Sequence, residues 1–328
     1  MKFYKQEKER LVCLLCSYYC KLKVGQTGVC GVNKNIAEEI KCLVYGYLSA
    51  LNIDPIEKKP LYHFLPSSTS LSLGTVGCNF RCSFCQNWQI SQNNNINKNN
   101  YFSAEKIVNI AKEKKCKSIS YTYNEPTIFY PFARDIAIKA KEFGIKSVFV
   151  SNGFESAEVI ADMKGVIDAM NIDLKSFDKK YYKNSLGGDL KVVCDNLINI
   201  KKNGIHLEIT TLIVPTVNDS KEELENIVKF IKENLGVNIP WHISAFHPDY
   251  KEQNLERTED ETLQMAFDIA KSHGLNYVYI GNSTFENDTI CKNCGEVLIK
   301  RKYFSVLENR VIDGICPKCK TKVDGVFK

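Results

Sequence analysis

The sequence has no long apolar run. Its hydrophobic stretches are short and interrupted, far below the ~20 residues that a membrane-spanning helix requires. No secretory leader is expected either. The basic N-terminus meets only the short run Leu11-Val12-Cys13-Leu14-Leu15-Cys16, with Glu7 and Glu9 just ahead of it, whereas a leader needs a longer apolar core behind a positive start. The chain is therefore expected to be unprocessed and cytoplasmic, with no membrane partner. There are no internal repeats, and the one low-complexity stretch, Asn-rich from Gln92 to Asn100, reads as a solvated loop. An excess of one charge is also absent. The formal net charge of +6 treats every thiol as neutral; if the clustered cysteines are metal-bound thiolates, the balance falls to roughly +1. That removes the general attraction to phosphate backbones, and no nucleic-acid partner is expected.

Cysteine is what the chain does have: 14 residues in 328, mostly in close pairs and triplets. In an intracellular enzyme such spacing reads as metal ligation rather than disulfide bonding. Cys78, Cys82 and Cys85 form a C-x3-C-x2-C loop directly after a strand-like run at 71–76 and Gly77. Three thiolates on one short loop suit a [4Fe–4S] cube, which ordinarily takes four cysteines. No His or Cys follows until Cys116, beyond a helical stretch. One coordination position therefore stays open, which marks a catalytic rather than a structural metal. Half of a zinc site is the bland alternative; the strand-then-loop context favours the cluster.

A loop with these gaps resembles that of the radical S-adenosylmethionine (SAM) enzymes. The resemblance implies a [4Fe–4S] cluster on Cys78, Cys82 and Cys85, SAM as cofactor, and Phe84 near the adenine.

Three zones divide the chain. Residues 1–66 are irregular and cysteine-rich, 67–286 alternate strand-like and helix-like stretches, and 287–328 carry two C-x2-C pairs. In the central zone strands are expected near 71–76, 118–123, 146–150, 166–173, 206–214, 241–246 and 277–280. Helices are expected near 103–115, 127–143, 156–163, 189–203, 220–235 and 258–273. Regular β-α alternation predicts an α/β fold with a parallel sheet and right-handed crossovers. Six βα units plus a last strand suit a partial (β/α)6 TIM-type barrel, the usual core of the family resembled.

Chemistry in such a barrel sits at the C-terminal ends of the strands, where polar residues fall: Asn124-Glu125, Ser151-Asn152, Asp173-Leu174-Lys175, then Glu208, Thr210 and Thr211, then His242 and His247. Glu125 can pair with the SAM ammonium through a charge-assisted bond. Lys175 can pair with the SAM carboxylate, and Ser151 or Asn152 with its polar atoms. Asn124-Glu125-Pro126 stands where the family has Gly-Gly-Glu-Pro and lacks both glycines. Asp173-Leu174-Lys175 and Ser151-Asn152-Gly153 resemble elements of the activating enzymes of glycyl-radical proteins. Either histidine could reach SAM or substrate, or simply be structural.

Two further sets of four cysteines remain. Cys291, Cys294, Cys316 and Cys319 form two knuckles expected to close on one structural zinc, as in a zinc ribbon, with a hairpin between them; an iron site would use the same ligands. Cys13, Cys16, Cys20 and Cys30 could hold zinc or an auxiliary cluster. Cys42, Cys116 and Cys194 are solitary and read as packing residues.

Over nearly its whole length the chain resembles the radical SAM component of the AmmeMemoRadiSam system. The residues that carry this are the Cys13 set, the segment Asp54-Pro55-Ile56-Glu57-Lys58-Lys59-Pro60-Leu61-Tyr62-His63-Phe64, Gly77-Cys78-Asn79, Cys85-Gln86-Asn87-Trp88 and the C-terminal pairs. The resemblance implies a flavodoxin- or ferredoxin-type one-electron reductant and AMMECR-like and Memo-like partner proteins, with the substrate unidentified. A glycyl-radical activase is the nearer alternative. A zinc-ribbon nucleic-acid-binding or RNA-modifying protein is the alternative of another class.

Overall fold

Apolar runs alternating with amphipathic helices build one eight-stranded sheet in the computed structural model, which describes residues 2–328. Its strands are β1 (Ala50–Pro55), β2 (Thr69–Gly74), β3 (Ser118–Tyr121), β4 (Lys146–Ser151), β5 (Ala169–Asp173), β6 (His206–Ile213), β7 (Trp241–Ala245) and β8 (Val278–Gly281). They lie in sequence order from one edge to the other. Neighbours from β2 to β8 pair in parallel, and β1 alone runs antiparallel, against β2. Six helices cross between the parallel strands: α1 (Ala104–Glu113), α2 (Tyr130–Lys141), α3 (Ala157–Met163), α4 (Leu190–Lys202), α5 (Lys221–Phe230) and α6 (Asp260–Ser272). This is the expected α/β fold, a mostly parallel sheet crossed by helices. Ser103, Ser156, Asp189 and Ser220 each accept a backbone N–H in the first turn of the helix that follows, which sets where those helices begin. Among the described residues no helix is long and apolar enough to cross a membrane.

β1 is the element the sequence did not disclose, because it comes from a segment read as irregular. Most of its residues are half-exposed or exposed, so it carries too little apolar alternation to stand out. Its neighbours at the N-terminus are short too: Tyr4–Glu7, Arg10–Cys13 and Lys21–Leu22 make one small sheet, and Asn33–Ile36 with Glu39–Cys42 make a hairpin. At the C-terminus Thr289–Ile290, Val297–Lys302 and Ser305–Asn309 form an antiparallel sheet that includes the expected hairpin.

β6 was expected to bring Glu208, Thr210 and Thr211 to the rim, and the structure separates them. Alternation along a strand turns Thr211 to the other face, where its hydroxyl donates to Leu174 O and accepts from Trp241 Nε1. Glu208 lies two residues deeper than Thr210, in the barrel floor. Its carboxylate accepts from the backbone N–H groups of Tyr62 (3.0 Å) and His63 (2.8 Å), and meets His206 Nε2 (3.0 Å) and His242 Nε2 (2.6 Å). Burial alone would raise its pKa, but the two histidines outweigh burial and hold it well below the usual carboxylate range. The segment 61–64 is thereby pinned across the bottom of the barrel. Arg301, from the C-terminal hairpin, closes it from below by donating to Tyr62 O (2.8 Å) with its guanidinium over the Tyr62 ring. His63 donates from Nδ1 to Asp324 O and accepts at Nε2 from Tyr279, both at 2.6 Å.

Burial pushes His63 down from 6.5 to about 4. A base depressed in this way stabilises the fold fully above its unfolded pKa. The contribution is lost as pH falls from about 6.5 toward 4 and amounts to on the order of 3 kcal/mol. Urea unfolding across that window should show falling stability in the native protein and a shallower slope in His63→Gln; identical slopes would remove His63 as the cause.

Candidate active site and metal centres

The chain leaves β2 at Gly74 and enters the cysteine loop through Thr75, Val76 and Gly77. Gly77 has φ +88°, and a Cβ there would lie 2.7 Å from Cys30 O and 2.8 Å from Val32 Cγ1, so only glycine fits. Asn124, at the end of β3, holds this turn with its side chain. Its Oδ1 accepts from Thr75 N–H (3.1 Å), and its Nδ2 donates to Gly77 O (2.8 Å) and Thr75 Oγ1 (3.0 Å). The asparagine at the glycine position of the resemblance thus supplies a clamp of its own. Further along the loop, Phe80 packs on Gly188, Arg81 N–H donates to Leu186 O, and Gln92 Nε2 donates to Phe80 O. The Phe80 N–H lies 3.4 Å from Cys78 Sγ, a contact that favours thiolate.

Cys78, Cys82 and Cys85 all line one cavity of about 690 Å³, within the range of small-molecule sites. Ends of β3 to β8 converge on it through Asn124, Glu125, Ser151, Asn152, Asp173, Lys175, Thr210, His242, Ser244 and Gly281. Phe84, from the loop itself, lines it too. Apart from Glu208 and Thr211, the structure therefore brings together the barrel residues expected at the site.

Glu125 is buried, and its carboxylate is held by three donors: Thr127 N–H (2.9 Å), Ser151 Oγ (2.9 Å) and Asn152 N–H (2.8 Å). A carboxylate has about four acceptor sites, so one is left free. Asn152 Nδ2 donates to Asn79 Oδ1 at 2.8 Å, tying the end of β4 to the cysteine loop. Lys175 Nζ pairs with Asp173 at 2.7 Å and lies 5.9 Å from the Phe84 ring centroid. Burial would push this ammonium down, but Asp173 and then Cys82 outweigh it and keep the lysine charged. His242 is held in the floor by Glu208, and His247 meets Gln86 at the rim.

Residues that the sequence did not assign to the site complete it. Glu155 Oε1 lies 2.6 Å from Ser151 Oγ, and its Oε2 is buried without a partner. Burial, then the charge of Glu125, pushes it up to about 7. Its only sequence cue is its place four residues after Ser151. Tyr182 accepts from Lys175 N–H. Glu57, Lys58, Lys59, Pro60 and Tyr62 line the wall of the cavity contributed by the segment ahead of β2. There Lys59 and Asp54 form a buried pair at 2.7 Å, and Asp54 also accepts from Tyr123.

The donor set fits an open-site iron–sulfur cluster. Three thiols and no fourth line the cavity among the described residues, next to a fixed ammonium and a carboxylate with spare capacity. The C-terminal set is of another kind. Cys291, Cys294, Cys316 and Cys319 have sulfurs all within 4.8 Å of one another, with contacts of 3.6 and 3.8 Å. A tetrahedral ion with Zn–S bonds of about 2.3 Å needs S···S edges of about 3.8 Å. Gly295 and Lys320, one after each pair, have left-handed φ of 72° and 62° and close the knuckles. The set is arranged to take one ion, zinc or iron. Cys13, Cys16, Cys20 and Cys30 converge on a separate small cavity beside Gly28, Asn33 and Ile128.

The Radical SAM superfamily profile matches residues 72–231. An uncharacterized protein of Methanocaldococcus jannaschii is 40% identical over 333 residues, spanning 100% of this chain and 99% of that one. The pyruvate formate-lyase-activating enzyme of Clostridium pasteurianum is 24% identical over 198 residues, 56% of this chain and 83% of that one. Among solved structures, Streptococcus suis SuiB bound to S-adenosylmethionine shares the fold at 16% identity and a TM-score of 0.51, over 69% of this chain and 52% of that one.

A Cβ on Gly188 would meet the Phe80 ring at 2.4 Å. Gly188→Ala should therefore shift the cysteine loop, lower stability by about 1–3 kcal/mol and reduce iron content, read by thermal unfolding and iron analysis. Unchanged iron loading would show that Phe80 does not set the loop.

Proposed function

Because the chain belongs to the radical SAM superfamily, we propose that Cys78, Cys82 and Cys85 hold a [4Fe–4S] cluster whose open iron takes SAM, and that the enzyme acts on a substrate in the adjoining cavity. One observation carries this reading: three thiols, and no fourth, face a cavity on which the strand ends converge. A [4Fe–4S] cluster held by Cys78, Cys82 and Cys85 would supply the single electron for reductive cleavage of SAM, and with it the 5′-deoxyadenosyl radical chemistry of hydrogen abstraction. The protein's own residues position and shield. Lys175, oriented by Asp173, meets the SAM carboxylate, and the free acceptor of Glu125 meets the ammonium. Ser151 and Asn152 hold Glu125 in place and present polar atoms to the cofactor, and Phe84 lies along the adenine. Fixing these partners in advance is what turns a bound radical precursor into a directed one.

The finer reading is the AmmeMemoRadiSam system, with AMMECR-like and Memo-like partners and a flavodoxin- or ferredoxin-type reductant, in the cytoplasm. Its support is the Asp54–Phe64 segment, five residues of which line the cavity. The same reading divides the chain into an N-terminal cysteine-rich region (1–66), the barrel (67–286) and a zinc-bearing C-terminal module (287–328). A glycyl-radical activase is the second reading, favoured by the likeness to the Clostridium enzyme. Those two readings part on a glycyl EPR doublet in a protein partner, which only the activase produces.

Reduced, anaerobic protein should release 5′-deoxyadenosine from SAM, and Cys82→Ala should abolish that release; retained cleavage would sink the proposal. Glu125→Gln should keep its iron but bind SAM about tenfold more weakly, ~1.4 kcal/mol, by equilibrium binding. Unaltered affinity would take Glu125 out of the cofactor site. With deuterated cell extract fractions, label appearing in 5′-deoxyadenosine identifies the fraction that contains the substrate.

A further inference from the structure

The three cysteine sets differ in how far apart their sulfurs stand. Among the described residues, only the C-terminal set has three or more donor atoms within 4.8 Å of one another. The Cys13, Cys16, Cys20 and Cys30 thiols line one common cavity, but no three of their sulfurs lie within 4.8 Å of one another. A single zinc with bonds of about 2.3 Å needs its sulfurs about 3.8 Å apart, whereas a [4Fe–4S] cube carries each cysteine on a different iron and spreads them further. Four thiols around a centre too wide for one ion match a polynuclear core.

The lining supports the same reading. Apart from sulfur it is mainly apolar, from Leu15, Val29 and Ile128, and Cys13, Cys16 and Cys30 are buried. Asn33 Nδ2 lies 3.4 Å from Cys30 Sγ while donating to Ile128 O at 2.8 Å. N–H groups directed at sulfur, in a dry pocket, are the levers that tune iron–sulfur clusters. Gly28 comes so close that a Cβ there would lie 3.5 Å from Cys20 Sγ.

We infer that Cys13, Cys16, Cys20 and Cys30 hold a second, auxiliary [4Fe–4S] cluster. With four protein thiolates it is coordinatively closed, unlike the Cys78 centre, so it binds neither SAM nor substrate. The site adjoins the catalytic loop: Gly77 packs on Cys30 O, and Ser17 N–H and Oγ donate to Phe154 O and Glu155 O.

The test counts acid-labile sulfide, which zinc sites lack. Anaerobically assembled wild-type protein should contain about eight sulfides per chain, and Cys78→Ala/Cys82→Ala/Cys85→Ala about four, with a [4Fe–4S]2+ Mössbauer doublet. Cys20→Ala/Cys30→Ala should lose about four relative to wild type. The inference is overturned if the Cys78 variant retains no sulfide, or if the Cys20/Cys30 variant keeps all of it and loses a zinc instead. Should a variant fold poorly, the wild type decides, since two bound zinc ions per chain would overturn the inference and about eight sulfides uphold it. Failure of the catalytic reading shows separately, as no change in sulfide between wild type and the Cys78 variant.

Discussion

The buried carboxylate of Glu208 is the interaction on which the rest of the structure depends. A charge without water must be met by hydrogen bonds, and this one gathers Tyr62, His63, His206 and His242 from three separate stretches of chain. Satisfying it draws the segment 61–64 under the barrel and closes the cavity from below. Arg301 and His63 then attach the C-terminal module to the same place. The cavity has a floor because a carboxylate needed partners.

Above that floor, the site is built largely from side chains that hold other side chains. Asn124 grips the entry to the cysteine loop, Asn79 meets Asn152, and Asp173 fixes Lys175. In consequence the loop's shape does not rest on the three cysteines alone. Such protein-to-protein contacts lower the ordering cost of binding a metal there.

The barrel was legible in the sequence because apolar residues recur along its strands and along one stripe of each helix: 118–123 and 206–214 read as strands and form β3 and β6. The three cysteine groups were legible from spacing. What escaped were features set by pairing across distance. β1 is half-exposed and takes its register from β2. Glu208 looked like a rim residue because depth along a strand cannot be read without knowing where the cavity begins. Glu155 was not singled out in the sequence, and only the fold brings its carboxylate to Ser151 beside Glu125.

Gly77 lies directly on the carbonyl of Cys30, so order imposed on either loop is order imposed on both. Thermodynamic linkage makes that mutual: whatever factor one filled centre adds to the affinity of the other, it receives in return. On the proposed reading, the loading of one centre and the loading of the other would be coupled through that contact.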